Sequence, residues 1–136
     1  MAETAAGIET ALAEWVGGVL GVPCDYGEFG GEGYPRAMVK VGNGDPVVTR
    51  YRAGGGVYRV PYEAYLCTFA AESADRVGGI EALRKLEDAI RARECPDGPV
   101  RYTSHEVTNS PALYAQADGG EVVYQMTAEL RYMQRG

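Results

Sequence analysis

The sequence predicts an α+β fold, a mostly antiparallel mixed sheet with two helices packed on one face. Three observations lead there. Two segments repeat apolar residues at helical spacing, several others alternate them with a period of two, and most strand-like segments are joined by short glycine-rich connections. Such connections are too brief for parallel crossovers, so neighbouring strands should run antiparallel. At 136 residues, 46% hydrophobic and 24% charged, the chain has the size and composition of one domain, residues 1–136.

The first helix rests on Ile8, Leu12, Trp15, Val16 and Val19, which share one face, with Glu9 and Glu14 off it. Thr4 is the expected N-cap, Gly17-Gly18 weakens the last turn, and Gly21 with Pro23 closes it. Residues 24–35 read as a glycine-rich loop with a short extended piece at Cys24-Asp25-Tyr26. Arg36–Val41 and Val47–Arg52 read as strands, separated by a turn at Gly42–Pro46 and followed by a hairpin turn at Ala53–Gly56.

Val57 to Phe69 is the longest strand signal. Tyr58, Val60, Tyr62, Ala64 and Leu66 share one side, and Arg59, Glu63, Tyr65 and Cys67 the other. Its start is polar on one side and its end apolar on both, which suggests a strand projecting at one end and buried at the other. Pro61 has no N–H to give a ladder, so an edge or a bulge is expected there.

Ser73 is the expected N-cap of a second helix running to Glu94, with Gly78-Gly79 delaying its start and Cys95–Pro99 ending it. Val77, Ile80, Leu83, Leu86 and Ile90 form its apolar stripe, and Glu87 and Asp88 its solvated side. Residues 100–109 are β-rich until Ser110-Pro111 breaks the run, and Asp118-Gly119-Gly120 signals a hairpin. In the last strand Val122, Tyr124, Met126, Ala128, Leu130 and Tyr132 face one way. Tyr58, Tyr62, Tyr65, Tyr124 and Tyr132 are expected in the sheet core or at its margin.

No constellation of residues signals chemistry. His105 is the chain's one histidine, and on a strand it faces away from Ser104 and Glu106, so these three cannot act as a triad. It is expected at the surface or in an interface. Cys24, Cys67 and Cys95 are too scattered for a zinc site or a disulfide framework and should stay reduced, with Cys67 as core filler. Asp25-Tyr26-Gly27-Glu28 lacks the spaced ligands of a calcium loop, and neither Lys40 nor Lys85 follows a glycine-rich loop as a phosphate-binding lysine would. No catalytic residue, metal or cofactor is expected, and function should reside in surfaces.

Charge gives those surfaces a pattern. The net charge is −6. Residues 1–32 hold six acids and no base, whereas residues 36–59 hold Arg36, Lys40, Arg50, Arg52 and Arg59 against Asp45 alone. An acidic chain is a poor general binder of nucleic acid. A basic middle between acidic ends suits self-association, and the interface expected on that ground is the hairpin carrying Arg50, Arg52 and Arg59, with the acidic amino-terminal third. No secretory signal or membrane-spanning run is seen, so synthesis in a cytoplasm is expected.

The order of segments resembles the small tail terminator proteins of long-tailed phages, a family of phage minor capsid proteins. The matching pieces are the opening helix with Trp15, Tyr34-Pro35-Arg36-Ala37-Met38-Val39, the strand Val57–Phe69 and the helix Ser73–Glu94. Ser110-Pro111-Ala112-Leu113-Tyr114, Asp118-Gly119-Gly120 and Val122–Tyr132 complete the match over nearly the whole chain. The loop at residues 27–33 and Gly78-Gly79 have no counterpart in the pattern. The resemblance implies a ring, usually hexameric, that caps the tail tube, contacts the tail-tube and head-completion proteins, lets DNA pass and resides in the virion. Another neck or head-tail connector component, and a small cellular ligand-binding or regulatory oligomer, are the alternatives.

Overall fold

The computed structural model describes residues 7–29, 35–42, 46–69, 73–117 and 119–135. Thr4, the turn residues 43–45 and Asp118 lie outside these, as do the side chains of Ser73 to Val77, and the first helix is capped by Gly7 and not by Thr4. The elements in chain order are α1 (Ile8–Leu20), β1 (Cys24–Tyr26), β2 (Arg36–Val41), β3 (Val47–Arg50), β4 (Gly55–Phe69), α2 (Ser73–Arg91), β5 (Tyr102–Gln116) and β6 (Glu121–Arg135). The strands form one six-stranded sheet in the order β1-β2-β4-β6-β5, with β3 also on β4. Among the described residues only β1 and β2 pair in parallel, so the sheet is mixed and mostly antiparallel.

The expected alternation sorts the two sides of the sheet. Tyr58, Val60, Tyr62, Ala64 and Leu66 of β4, the even-numbered residues Val122–Tyr132 of β6, and Ala37 and Val39 of β2 are buried in one cluster. Ile8, Leu12, Val16 and Leu20 of α1 and Leu83, Leu86 and Ile90 of α2 join it, so both helices cover this inner face. Burying each such aliphatic side chain stabilises the fold by roughly 1.5–3 kcal/mol. Tyr58, Tyr62, Tyr124 and Tyr132 are buried on the inner face, as their alternation predicts, and Tyr65 is buried on the outer one.

Pro61 lies on a central strand, with β6 on one side, and not at a sheet edge. On the other side β2 leaves β4 after Tyr62 and β3 joins it at Tyr58, so Pro61 sits in the gap between them. Arg59 donates across that side to the Pro46 carbonyl, and the Pro61 carbonyl accepts from the Gly42 N–H. The missing donor therefore falls where no partner strand needs it.

The second helix differs from expectation at both ends. Ser73 is its first helical residue, not a cap preceding it, and Gly78-Gly79 lie inside the helix without delaying it. Its end comes at Arg91, earlier than Glu94, because Arg93 adopts a left-handed conformation (φ 65°). The Arg93 N–H then bonds the Ile90 carbonyl at 2.9 Å and the Glu94 N–H bonds the Ala89 carbonyl at 3.1 Å, a Schellman closure built without glycine. In β5, Ser110-Pro111 does not break the strand, which runs on to Gln116 by absorbing the irregularity in register shifts. An edge strand tolerates this, because Pro111 has no ladder partner to lose on its outer side.

Gly79 is the close-packing point between α2 and the sheet. A Cβ there would overlap the ring of buried Tyr124, whereas one on Gly78 would meet nothing within 4 Å. Gly79→Ala is expected to destabilise the protein by about 1–3 kcal/mol through overpacking. Gly78→Ala should instead stabilise it by about 0.5–1 kcal/mol through helix propensity. Urea denaturation of the two variants checks both signs.

Candidate functional site

The outer face of the sheet carries no helix among the described residues, and its side chains form rows across β4, β6 and β5. At one end Arg59 lies opposite Arg131, which lies opposite Ser104. The next row is Pro61, Glu129 and Glu106, then come Glu63, Thr127 and Asn109, and then Tyr65, Gln125 and Ala112. Cys67, Val123 and Ala115 form the last of these rows. Across β4, β6 and β5 these rows thus grade from charged to uncharged, with Arg36 opposite Cys67 and Glu121 opposite Phe69 bringing charge back at the far end.

Its charges are matched locally. Arg131 donates to Glu129 at 2.8 Å, Lys40 lies 3.5 Å from Glu63 across the β2–β4 pair, and Arg36 lies 3.5 Å from Glu121. Such half-exposed pairs contribute roughly 0–1 kcal/mol each. Tyr65 ties the middle together, its hydroxyl donating to Glu63 at 2.8 Å and accepting from the Gln125 amide at 3.0 Å. Burial, followed by the bond to Glu63, pushes its phenol up to about 12. The Tyr114 ring meets Tyr65 edge-on at 5.1 Å.

The three arginines expected at an interface do not form one patch. Arg59 is half-buried on the outer face. Arg50 is exposed and pairs with Gly56, which places it on the helix-bearing face, and Arg52 is exposed in the turn after β3. The β3 strand ends at Arg50 because the Tyr51 N–H turns to bond the Gly55 carbonyl. Of the acidic third, Asp25 and Glu28 are exposed beside β1 at the far edge of the sheet.

The opposite edge is β5, and its second half is the most uncovered part of the fold. From Thr108 to Gln116 every residue but Pro111 is exposed, with Leu113 at 51% and Tyr114 at 57%. No charged residue occurs between Glu106 and Asp118. The bulges between Asn109 and Ala112 and between Leu113 and Ala115 bend this arm, as bulges at sheet edges do. They also aim Ser110 at α2, where its hydroxyl donates to Glu87 at 2.6 Å. Glu87, expected on a solvated helix side, is in fact buried, and Arg91 donates to it at 3.0 Å. The Ser110 bond, with Arg91, holds its carboxyl below the usual range.

His105 is the largest departure from expectation. It is buried on the inner face at 7% exposure, not at the surface. Its Nδ1 lies 2.8 Å from the Glu94 carbonyl, which can only accept, so Nδ1 carries the hydrogen. Nε2, 2.6 Å from the Tyr62 hydroxyl, then accepts from it. The Schellman turn at Arg93 presents that carbonyl, and the Trp15 ring packs 5.2 Å from the imidazole. Burial lowers the His105 pKa and raises that of Tyr62, so both stay neutral. Ser104 and Glu106 face the other way, as the strand alternation predicts.

Two clefts flank these features. One of about 620 Å³ runs between the β5 edge at Tyr102–Val107 and the residues from Ile90 to Cys95. The other, of about 350 Å³, is mostly apolar and lies between Leu20 at the end of α1, Val22 beyond it, Ala82 of α2, and Leu66, Thr68 and Phe69 of β4. All three thiols are unpaired. Burial raises each of them, Cys24 to about 12, so none is poised as a thiolate nucleophile. Among the described residues no three His, Cys, Asp or Glu side chains are placed to hold a metal, and no helix is long and apolar enough to cross a membrane.

The imidazole gives the protein a pH dependence with a definite sign. Unfolded, His105 titrates near 6.5, and in the fold its value is lower. Between the two values the unfolded chain binds a proton that the native protein does not. Stability contributed by neutral His105 is therefore full above about 6.5 and is lost as pH falls below it. His105→Gln should cost about 1–3 kcal/mol at pH 7.5. Its deficit relative to the wild type should shrink at pH 5.5, as read from thermal melts at both values.

No family model matches the chain, and no curated protein matches it. Among solved structures, a protein that carries a serial designation in place of a descriptive name superposes on it with a TM-score of 0.54. The match covers 96% of this chain and 93% of that one at 14% sequence identity. At such identity what the two proteins share is the fold, over nearly the whole of both chains.

Proposed function

We propose that this protein is a structural phage component, a tail terminator that assembles as a ring on the completed tail tube and presents a surface to head-completion proteins. The observation that carries the proposal is the uncovered, uncharged arm Thr108–Gln116 at the sheet edge, together with the whole-chain resemblance to that family. A cyclic assembly needs two different contact surfaces on each copy. The fold offers them at opposite ends of the strand order, the acidic residues around β1 and the uncharged arm of β5. An acidic chain also suits a ring through which DNA slides without adhering.

The test is co-assembly with a tail-tube protein from the same genome. Tubes polymerised in its presence should stop at a uniform length, with the protein at one end in electron micrographs. Tubes of uncontrolled length with the protein left in solution would end the proposal. Reversing both exposed arginines, Arg50→Glu with Arg52→Glu, should weaken assembly more at low than at high salt. Their melting temperature should stay within a few degrees of the wild type. A large fall would place these side chains in the fold and not in a contact.

A second reading, a small ligand-binding oligomer, is favoured by the apolar cleft at Thr68. Flanking tail-tube, tape-measure and portal genes would favour the phage reading over it.

A further inference from the structure

Positive charge is sorted by position along the strands as well as by face. The stretches 46–60, 98–105 and 130–136 contain six arginines, Arg50, Arg52, Arg59, Arg101, Arg131 and Arg135, with no lysine and no acid. For the whole chain to carry −6, the remainder must carry −12. Strand pairing gathers the three stretches at one end of the sheet. Arg50 lies opposite Gly56, Gly56 opposite Gln134, and Arg135 opposite Gly55. Arg101 directly precedes Tyr102, which lies opposite Tyr132, itself opposite Tyr58. Arginines that divide between the two faces therefore share one end.

Three of them are available to a ligand. Arg50, Arg52 and Arg101 are exposed, and none is in an ion pair among the described residues. Arg59 is half-buried, and Arg131 is already held by Glu129. Of the other acids towards this end, Glu9 lies near Tyr102 and Asp97 comes shortly before Arg101, while Asp45 lies outside the described residues. The exposed acids beside β1 are remote. Asp25 lies opposite Met38 and Met38 opposite Tyr65, which is roughly 20 Å along β4 from Arg59. That exceeds the Debye length of about 8 Å at physiological salt, so a polyanion at this end meets the arginines and not the net charge of the chain.

Extent selects the ligand. From β3 across β4 and β6 to β5 the end is three strand spacings wide, roughly 14 Å. Over that width duplex DNA presents about eight phosphate charges. Arginine suits them, because its planar guanidinium offers two parallel N–H donors to a phosphate. A second copy of the chain is the poorer match. Its Glu63, Glu87, Glu121 and Glu129 are each paired with a cation of their own chain, and two copies at −6 repel.

We infer that this end of the sheet binds the phosphodiester backbone of nucleic acid, without regard to sequence, through Arg50, Arg52 and Arg101. The inference is independent of the ring reading and compatible with it. A contact to a few phosphates is weak and leaves a protein free to slide along DNA, so it guides a passing duplex without halting it.

Fluorescence anisotropy of a short labelled DNA duplex of arbitrary sequence, titrated with the full chain, tests it. The wild type should bind, and its affinity should fall roughly fortyfold between about 50 and 200 mM salt, the slope of three phosphate contacts. Arg50→Gln, Arg52→Gln and Arg101→Gln should each lower that slope by about one and weaken binding equally for duplexes of different sequence. The triple variant should lose measurable binding. Arg84→Gln with Lys85→Gln removes two exposed charges from α2 and should leave binding unchanged. Melting curves near that of the wild type establish that each variant is folded.

A wild type that leaves the duplex free at about 50 mM salt overturns the inference. So does a folded triple variant that binds as the wild type does, or an α2 variant that loses as much as the triple one. Self-association that depends on the three arginines, without DNA binding, would assign this end to a second copy and overturn it as well.

Discussion

β4 and β6 pair residue for residue over their whole length, Gly55 with Arg135 through to Phe69 with Glu121, without a register shift. A slip of one residue would carry the buried set of β6 to the outer face and its charged set into the core. The pairing is held by complementary sizes. Tyr62 lies opposite Ala128, Ala64 opposite Met126, and Tyr58 stacks on Tyr132 with ring centroids 5.5 Å apart. The helices are seated on that surface, and Gly79 lets α2 approach the one large ring, Tyr124, that would otherwise hold it away.

On the far side of β6 the pairing is of another kind. β5 matches the same strand through four register shifts, and each shift changes which way a side chain points. One consequence is internal, as Ser110 reaches Glu87 and ties the middle of the strand to α2. Another is external, as the remainder of the arm is left uncovered. His105, between the first shift and the other three, binds the same strand to the end of α2 through Glu94 and to β4 through Tyr62. The first half of β5 thus belongs to the core and its second half to the surface.

That division bears on function. A protein that acts by chemistry concentrates perturbed polar groups in a cleft open to substrate. Of the perturbed groups here, His105, Tyr62 and Glu87 are each bonded to protein partners that hold one element to another, and His105 also lines the cleft beside β5. The exposed features are a graded sheet face, an uncharged arm and an apolar cleft, which are means of docking. Self-assembly, with tail termination as its form, is the use we propose for such a distribution.

Periodicity and local conformation are enough to read the element order, the inner and outer residues of β4 and β6, the glycine closing α1 and the inner-face tyrosines in the chain alone. They also separate His105 from Ser104 and Glu106, since alternation along a strand is local. The remainder depends on neighbours distant in the chain. His105 is core because Trp15, Tyr62 and Glu94 close over it, and Glu87 is buried because a bulge in β5 brings Ser110 to it. Arg50 and Arg59 part company because strand pairing assigns them to opposite faces, a fact that no charge count along the chain contains. Periodicity tells which side of its own element a residue occupies, and only packing tells what lies against that side.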